Sequence, residues 1–229
     1  MGLSRESMVK MRQLVVIPAR LSSWRFPNKP LIDLLSMPMF EHVYRRSELV
    51  ANIDDIVLAL CDKELYDIAV NKGMKAIMTS NEHKTACERV AEASQIMGYT
   101  SHDDIVINVQ ADEPVVPPPV IEMTRDLLLS KNTNNCANMV ENITDTKELN
   151  NRHRVKAILS VNNNLIFLSR ECIPSTFFDI NKLTTFYRLT CITAYRGTFL
   201  QDYCKLSRTP IELIEGNDMM RVIENDIKI

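Results

Sequence analysis

Between Pro18 and Leu31 the chain reads Pro-Ala-Arg-Leu-Ser-Ser-Trp-Arg-Phe-Pro-Asn-Lys-Pro-Leu, which places the cations Arg20, Arg25 and Lys29 and the hydroxyls Ser22 and Ser23 in one short stretch. Guanidinium groups bind oxyanions in bidentate fashion, an ammonium supplies a point charge, and backbone N–H groups near a helix start add fixed donors. A polyphosphate needs that combination. The stretch is not a Walker sequence, and on composition alone a solvated basic loop remains an equal reading. Farther along, Asp112 and Glu113 follow the apolar run Ile105–Val109 and precede Pro114. Hard carboxylate oxygens at the end of a buried strand suit Mg²⁺, which takes one or two protein carboxylates together with phosphate oxygens. A polar turn is the plainer alternative.

A third stretch, His83-Lys84-Thr85-Ala86-Cys87-Glu88-Arg89, has Thr and Glu at capping-box spacing ahead of an apolar-periodic run. It predicts a helix start with Arg89 on its first turns. Neither His83 nor Cys87 has a recognisable nucleophile–base partner, so the sequence gives covalent catalysis no support.

Elements must bring these stretches together. Leu14–Pro18, Ile56–Leu60, Lys75–Met78 and Asp104–Val109 read as buried strands, and Met39–Val50, Glu64–Asn71 and Cys87–Gly98 as the helices between them. Strand–helix alternation predicts an α/β fold whose central sheet is mostly parallel, with helices on both faces. In such sheets ligands bind beyond the carboxyl ends of the strands, where the loops after Pro18 and after Val109 both emerge. The second half is less regular. Val155–Ser160 and Asn164–Ser169 predict an inserted β-hairpin, Arg188–Arg196 a further strand, Ile211–Val222 one final helix, and Asp226–Ile229 the beginning of another strand. No linker divides residues 1–229, so a single domain is expected, with residues 135–205 as its hairpin lobe.

Composition narrows the partners. With 27 Lys+Arg against 29 Asp+Glu the formal charge is −2, which excludes the broad basic surface that nucleic-acid binding requires. At 45% hydrophobic and 24% charged residues, the chain is composed like an ordinary folded domain. No run approaches the roughly 18 apolar residues of a membrane span, and Met1–Arg12 has no apolar signal core, so a cytoplasmic protein is expected. Six scattered cysteines without a CxxC pair predict reduced thiols.

Taken in order, the Pro18–Leu31 loop, Met78–Glu92, Asn108–Pro114, Val155-Lys156, Phe167–Arg170, Ile173-Pro174, Tyr195-Arg196 and Pro210–Asn225 resemble the 3-deoxy-manno-octulosonate (KDO) cytidylyltransferases, over nearly the whole chain. The resemblance implies a Rossmann-like nucleotidyltransferase fold, transfer of CMP from CTP to the hydroxyl of an acidic sugar with release of pyrophosphate, Mg²⁺ dependence, a role in lipopolysaccharide biosynthesis, and a homodimer formed with the hairpin lobe. It further implies that Arg20, Ser23, Arg25 and Lys29 hold the triphosphate and that Asp112 binds the metal. Arg20, Lys29 and Asp112 would be the catalytic set. Arg89 and Gln110 would line both nucleotide and acceptor, and Arg188 and Glu212 the acceptor side.

The chain departs from the family pattern. Asn28, Ala86 and Ala111 stand where Gly is usual, Cys61 and Cys87 where Thr is, Leu189 where His is, and Met219 where Gln is. If Leu189 and Met219 face the sugar, two polar contacts are lost. That keeps open an acceptor other than KDO, such as an amino-sugar acid or a phosphonate, and a catalytically weak nucleotide-binding protein of the same fold. Family members also continue past Asp226–Ile229 into a second acidic metal ligand. A glycosyltransferase reading predicts an Asp-x-Asp motif, which Gln110-Ala111-Asp112 does not supply.

Overall fold

In the computed structural model the described residues are 11–22, 26–175 and 185–229. Their elements run β1 (Gln13–Ala19), β2 (Asp33–Leu34), β3 (Met37–Pro38), α1 (Met39–Ser47), β4 (Asp55–Leu60), α2 (Lys63–Asn71), β5 (Ala76–Met78), α3 (Ala86–Ile96) and β6 (Ile105–Val109). They continue with α4 (Pro118–Leu129), β7 (Cys136–Asn142), β8 (Lys156–Leu159), β9 (Leu165–Ser169), β10 (Tyr187–Arg196), α5 (Gly197–Tyr203), α6 (Pro210–Glu215) and α7 (Met219–Glu224).

Eight strands form one mixed sheet in the order β5-β4-β1-β6-β10-β8-β9, with β7 also paired to β10. β5, β4, β1 and β6 are parallel. β10 runs antiparallel to β6, β7 and β8, and β8 to β9. β1 is central because its residues are apolar on both sides: Val15 and Ile17 enter one core, Leu14 and Val16 the other. The first core lies under α1, α2 and α4 through Phe40, Leu65 and Ile121, and the second under α3, α5 and α7 through Val90, Leu200 and Val222.

The expected alternation and the hairpin are present, the latter as β8 and β9. The sequence reading lacks β7, the β2–β3 hairpin and α5, and three further features differ from it. The single helix expected over Ile211–Val222 is two, because Gly216 takes φ 61° and ψ 40°, a left-handed residue that ends α6. Asp226–Ile229 forms no strand, although the Ile229 carbonyl accepts from Leu165 N–H at 3.0 Å. α4 was hidden behind Pro117-Pro118-Pro119, which reads as a turn but supplies a helix's first positions, where the missing N–H groups cost nothing.

Candidate active site

Because β1 and β6 are neighbours and parallel, the loops that follow them leave the same edge of the sheet. The loop after β1 is pinned at its start, where Leu21 N–H donates to Asp62 Oδ2 at 2.8 Å, and folds back so that Asn28 N–H donates to Leu21 O at 3.0 Å. Asn28 takes φ 58°, a left-handed conformation that Asn tolerates better than most residues, so its replacement of Gly keeps the turn. A short 3₁₀ turn over Lys29–Leu31 follows. After β6, Gln110 N–H donates to Cys191 O at 3.3 Å and Glu113 N–H to Gln110 O at 3.2 Å, a tight turn that carries Asp112 outward. The two loops meet: Lys29 Nζ lies 2.6 Å from Asp112 Oδ2, with both side chains partly exposed.

Beside this pair is a cleft of about 170 Å³ lined by Pro18, Ala19, Arg20, Thr85, Ala86, Arg89 and Gln110. The predicted capping box is present: Thr85 Oγ1 accepts from Glu88 N–H at 3.3 Å, and the Glu88 carboxylate accepts from Lys84 N–H at 2.7 Å and Thr85 N–H at 3.3 Å. It fixes the first turn of α3 against the cleft. Arg89 is 97% buried by its neighbours and only 3% exposed, its guanidinium held by Thr79 Oγ1 at 2.6 Å and the Ser80 carbonyl at 3.2 Å. Arg20 is exposed at the mouth. Two cationic residues, Arg20 and Arg89, therefore line one concavity together with Gln110, an arrangement suited to a polyphosphate. Ser23 and Arg25 lie outside the described residues.

The donor set also fits Mg²⁺. Asp112 offers an accessible carboxylate next to the Lys29 ammonium, and among the described residues no cluster of three or more acids, histidines or cysteines forms a closed metal cage. An ion that keeps most of its ligands from phosphate and water needs no such cage.

Two expected acceptor residues are placed elsewhere. Arg188, on β10, is taken up by Glu141 at 2.8 Å and Glu148 at 3.1 Å, and it does not line the cleft. Burial opposes its charge, but the Glu141 hydrogen bond and the nearby acids outweigh that and raise its pKa. Glu212 is fully buried, its carboxylate accepting from Arg221 Nη2 at 2.6 Å, Arg221 Nε at 2.8 Å and Arg208 Nε at 3.0 Å. It caps α6 rather than facing a ligand.

The two apolar departures are also away from the cleft. Leu189 lines a separate groove of about 660 Å³ beside Leu127, Val140 and Leu165, which contains none of the predicted site residues. Met219 is buried, with Sδ 3.5 Å from the Tyr195 hydroxyl, which also accepts from Cys87 Sγ at 3.1 Å. Neither removes a polar group from the cleft. The sequence reading passed over Asp218, the residue that opens α7. Burial pushes its carboxyl up, with Arg221 opposing and Glu212 and Glu88 reinforcing the shift. An acid two residues after a helix-ending Gly was its only sequence signal.

A sequence model described as cytidylyltransferase matches residues 14–229. The chain is 37% identical over 220 residues to the 3-deoxy-manno-octulosonate cytidylyltransferase of Francisella tularensis subsp. holarctica (strain LVS), covering 94% of this chain and 87% of that protein. It is 34% identical over 215 residues to the enzyme of the same name from Coxiella burnetii (strain Dugway 5J108-111), covering 91% and 86%. Among solved structures, a CMP:2-keto-3-deoxy-manno-octonic acid synthetase complexed with CTP superposes with a TM-score of 0.86 at 29% identity, covering 95% of this chain and 88% of that one. More distant likeness, at 11% identity and a TM-score of 0.61, to a 4-diphosphocytidyl-2C-methyl-D-erythritol synthase shows the shared fold alone. With a family match over almost its whole length and a sheet that carries its cationic loop and acidic turn to one edge, the chain belongs to the cytidylyltransferase family.

Proposed function

We propose that this protein transfers the cytidylyl group of CTP to a hydroxyl of 3-deoxy-manno-octulosonate, releasing pyrophosphate. The observation that carries the reading is that Arg20, Arg89 and Gln110 line one cleft, while the loops that carry Arg20 and Gln110 also bring Lys29 and Asp112 into contact.

Phosphoryl-type transfer asks mainly for positioning and charge neutralisation, not for a protein nucleophile. Arg20 and Lys29 hold the triphosphate, with Ser23 and Arg25 on the same loop. Arg89, fixed by Thr79 and Ser80, and Gln110, fixed through its backbone to β10, orient the nucleotide and the acceptor acid. Asp112 is the residue that would hold Mg²⁺ together with phosphate oxygens, and the ion would supply neutralisation of negative charge on the leaving pyrophosphate. Lys29 exchanges its Asp112 partner for a phosphate oxygen as the nucleotide enters.

The hairpin lobe with its apolar groove suits a homodimer, and the enzyme works in the cytoplasm to supply an activated sugar acid for lipopolysaccharide. No helix among the described residues is long and apolar enough to cross a membrane. Pyrophosphate release from CTP, measured with KDO, an amino-sugar acid and a phosphonate, tests the activity. Turnover fastest with KDO is the expected result; silence with every acid removes the reading.

A further inference from the structure

Arg221 carries a full charge into the interior at 1% exposure, a burial that a charged side chain tolerates only when it is paired. Its guanidinium is doubly paired with Glu212, donates to Leu206 O at 3.3 Å and lies 5.2 Å from the centre of the Tyr203 ring. Two further acids interact with it, Asp218 at the start of α7 and Glu88 on α3. Glu88 Oε1 is 4.0 Å from Arg221 Nη2, and Glu88 is the acid whose other oxygen receives the N–H groups of Lys84 and Thr85. Thr85, Ala86 and Arg89, the residues on either side of Glu88, line the cleft.

α7 thus reaches the cleft through a relay of charges. Arg221 attracts the free oxygen of Glu88, which aims the other at the backbone of the loop that opens α3. Arg208 and Glu212 anchor the far end of the relay, and Glu212 is held in turn by the Glu224 carboxylate, which accepts from Ile211 and Glu212 N–H at 3.2 Å and 3.1 Å. We infer that Arg221 is a positioning residue for the reaction, acting through Glu88 to set where Thr85, Ala86 and Arg89 meet the nucleotide. The inference rests on the proposed nucleotide site, but its structural half is measurable without any ligand.

Two variants separate positioning from support of the fold. Glu88→Gln keeps an oxygen for the Lys84 and Thr85 N–H groups and removes the attraction to Arg221. Arg221→Met combined with Glu212→Met replaces the buried ion pair by apolar volume, a change that often preserves stability. Both should unfold within a few degrees of the parent, yet bind CTP roughly tenfold more weakly, the size of a typical coupling between contacting groups. Hydrogen exchange of the Lys84–Arg89 amides in the free protein should quicken in both, while amides of β1 and β6 stay protected. Arg221→Lys should recover part of the affinity. Parental exchange at Lys84–Arg89 in both variants overturns the relay, whatever the protein does with CTP; accelerated exchange with parental CTP affinity overturns the link to the nucleotide. Absent CTP binding in the parent itself rejects the nucleotide site and with it the functional half of the inference.

Discussion

Lys29 and Asp112 come from loops that follow different strands, yet their Nζ and Oδ2 atoms are 2.6 Å apart at the carboxyl edge of the sheet. The pair is partly exposed, so its contribution to stability is small, at most about 1 kcal/mol. Its value is chemical. Asp112→Asn should therefore leave the melting temperature within a degree or two of the parent and lower kcat by about 10²-fold or more, as loss of a charge-stabilising group does. Lys29→Met should chiefly raise KM for CTP. Steady-state kinetics with a thermal melt of each variant checks both; undiminished turnover in Asp112→Asn removes that residue from the mechanism.

How much of this site could be read beforehand follows from the kind of signal each residue leaves. The meeting of Lys29 and Asp112 is legible because each follows a short, mostly apolar strand, and parallel neighbours must release their loops on one side. Arg89 is legible through the Thr85–Glu88 capping box ahead of it. The ion pairs of Arg188 and Glu212 are not legible, because a charged residue looks the same in sequence whatever it meets, and their partners Glu141 and Arg221 are fixed only by tertiary contact. β7, reading Cys-Ala-Asn-Met-Val-Glu-Asn, lacks both clean alternation and a continuous apolar run, and pairing with β10 alone makes it a strand.

The β2–β3 hairpin offers a stabilising change. Its two turn residues, Leu35 and Ser36, have φ of 54° and 65°, and Leu35 is 95% exposed. Both positive values describe a turn that favours Asn-Gly. Leu35→Asn with Ser36→Gly should gain about 1–2 kcal/mol by relieving left-handed strain, seen as a higher denaturation midpoint at an unchanged slope.

Gly197 opens α5 where β10 ends, and a Cβ there would lie 2.6 Å from the Ser101 carbonyl oxygen and 2.9 Å from that of Tyr99. Backbone cannot swing aside as a side-chain tip can. Gly197→Ala should cost about 2 kcal/mol or more, read by urea denaturation, whereas Gly216→Ala, which meets only the tip of Arg170 at 3.9 Å, should be penalised mainly through its positive φ.

Acid should weaken the α6–α7 corner. Burial favours the neutral form of Glu212, but hydrogen bonds from Arg221, Arg208 and Thr209 N–H outweigh it and hold the carboxyl below its ordinary 4.5. A carboxylate lowered on folding contributes its stability fully above the ordinary value and loses it as pH falls through the folded value. Asp218 is raised and acts in the opposite sense, which softens the slope. Melting temperatures of the parent and Glu212→Gln should differ most at neutral pH and converge as pH falls below the ordinary 4.5 and through the lowered folded value. A constant gap across that range contradicts the assignment.

β1 is flanked on one side by β4 and on the other by β6, in registers that tie Leu14 to both Asp55 and Val106. Neither edge of the binding concavity exists until this three-strand core has zipped, since Arg20 leaves one member and Gln110 another. A half-assembled polypeptide should consequently have nothing with which to retain nucleotide, and the molar stoichiometry of CTP uptake in any preparation becomes a direct census of correctly assembled molecules.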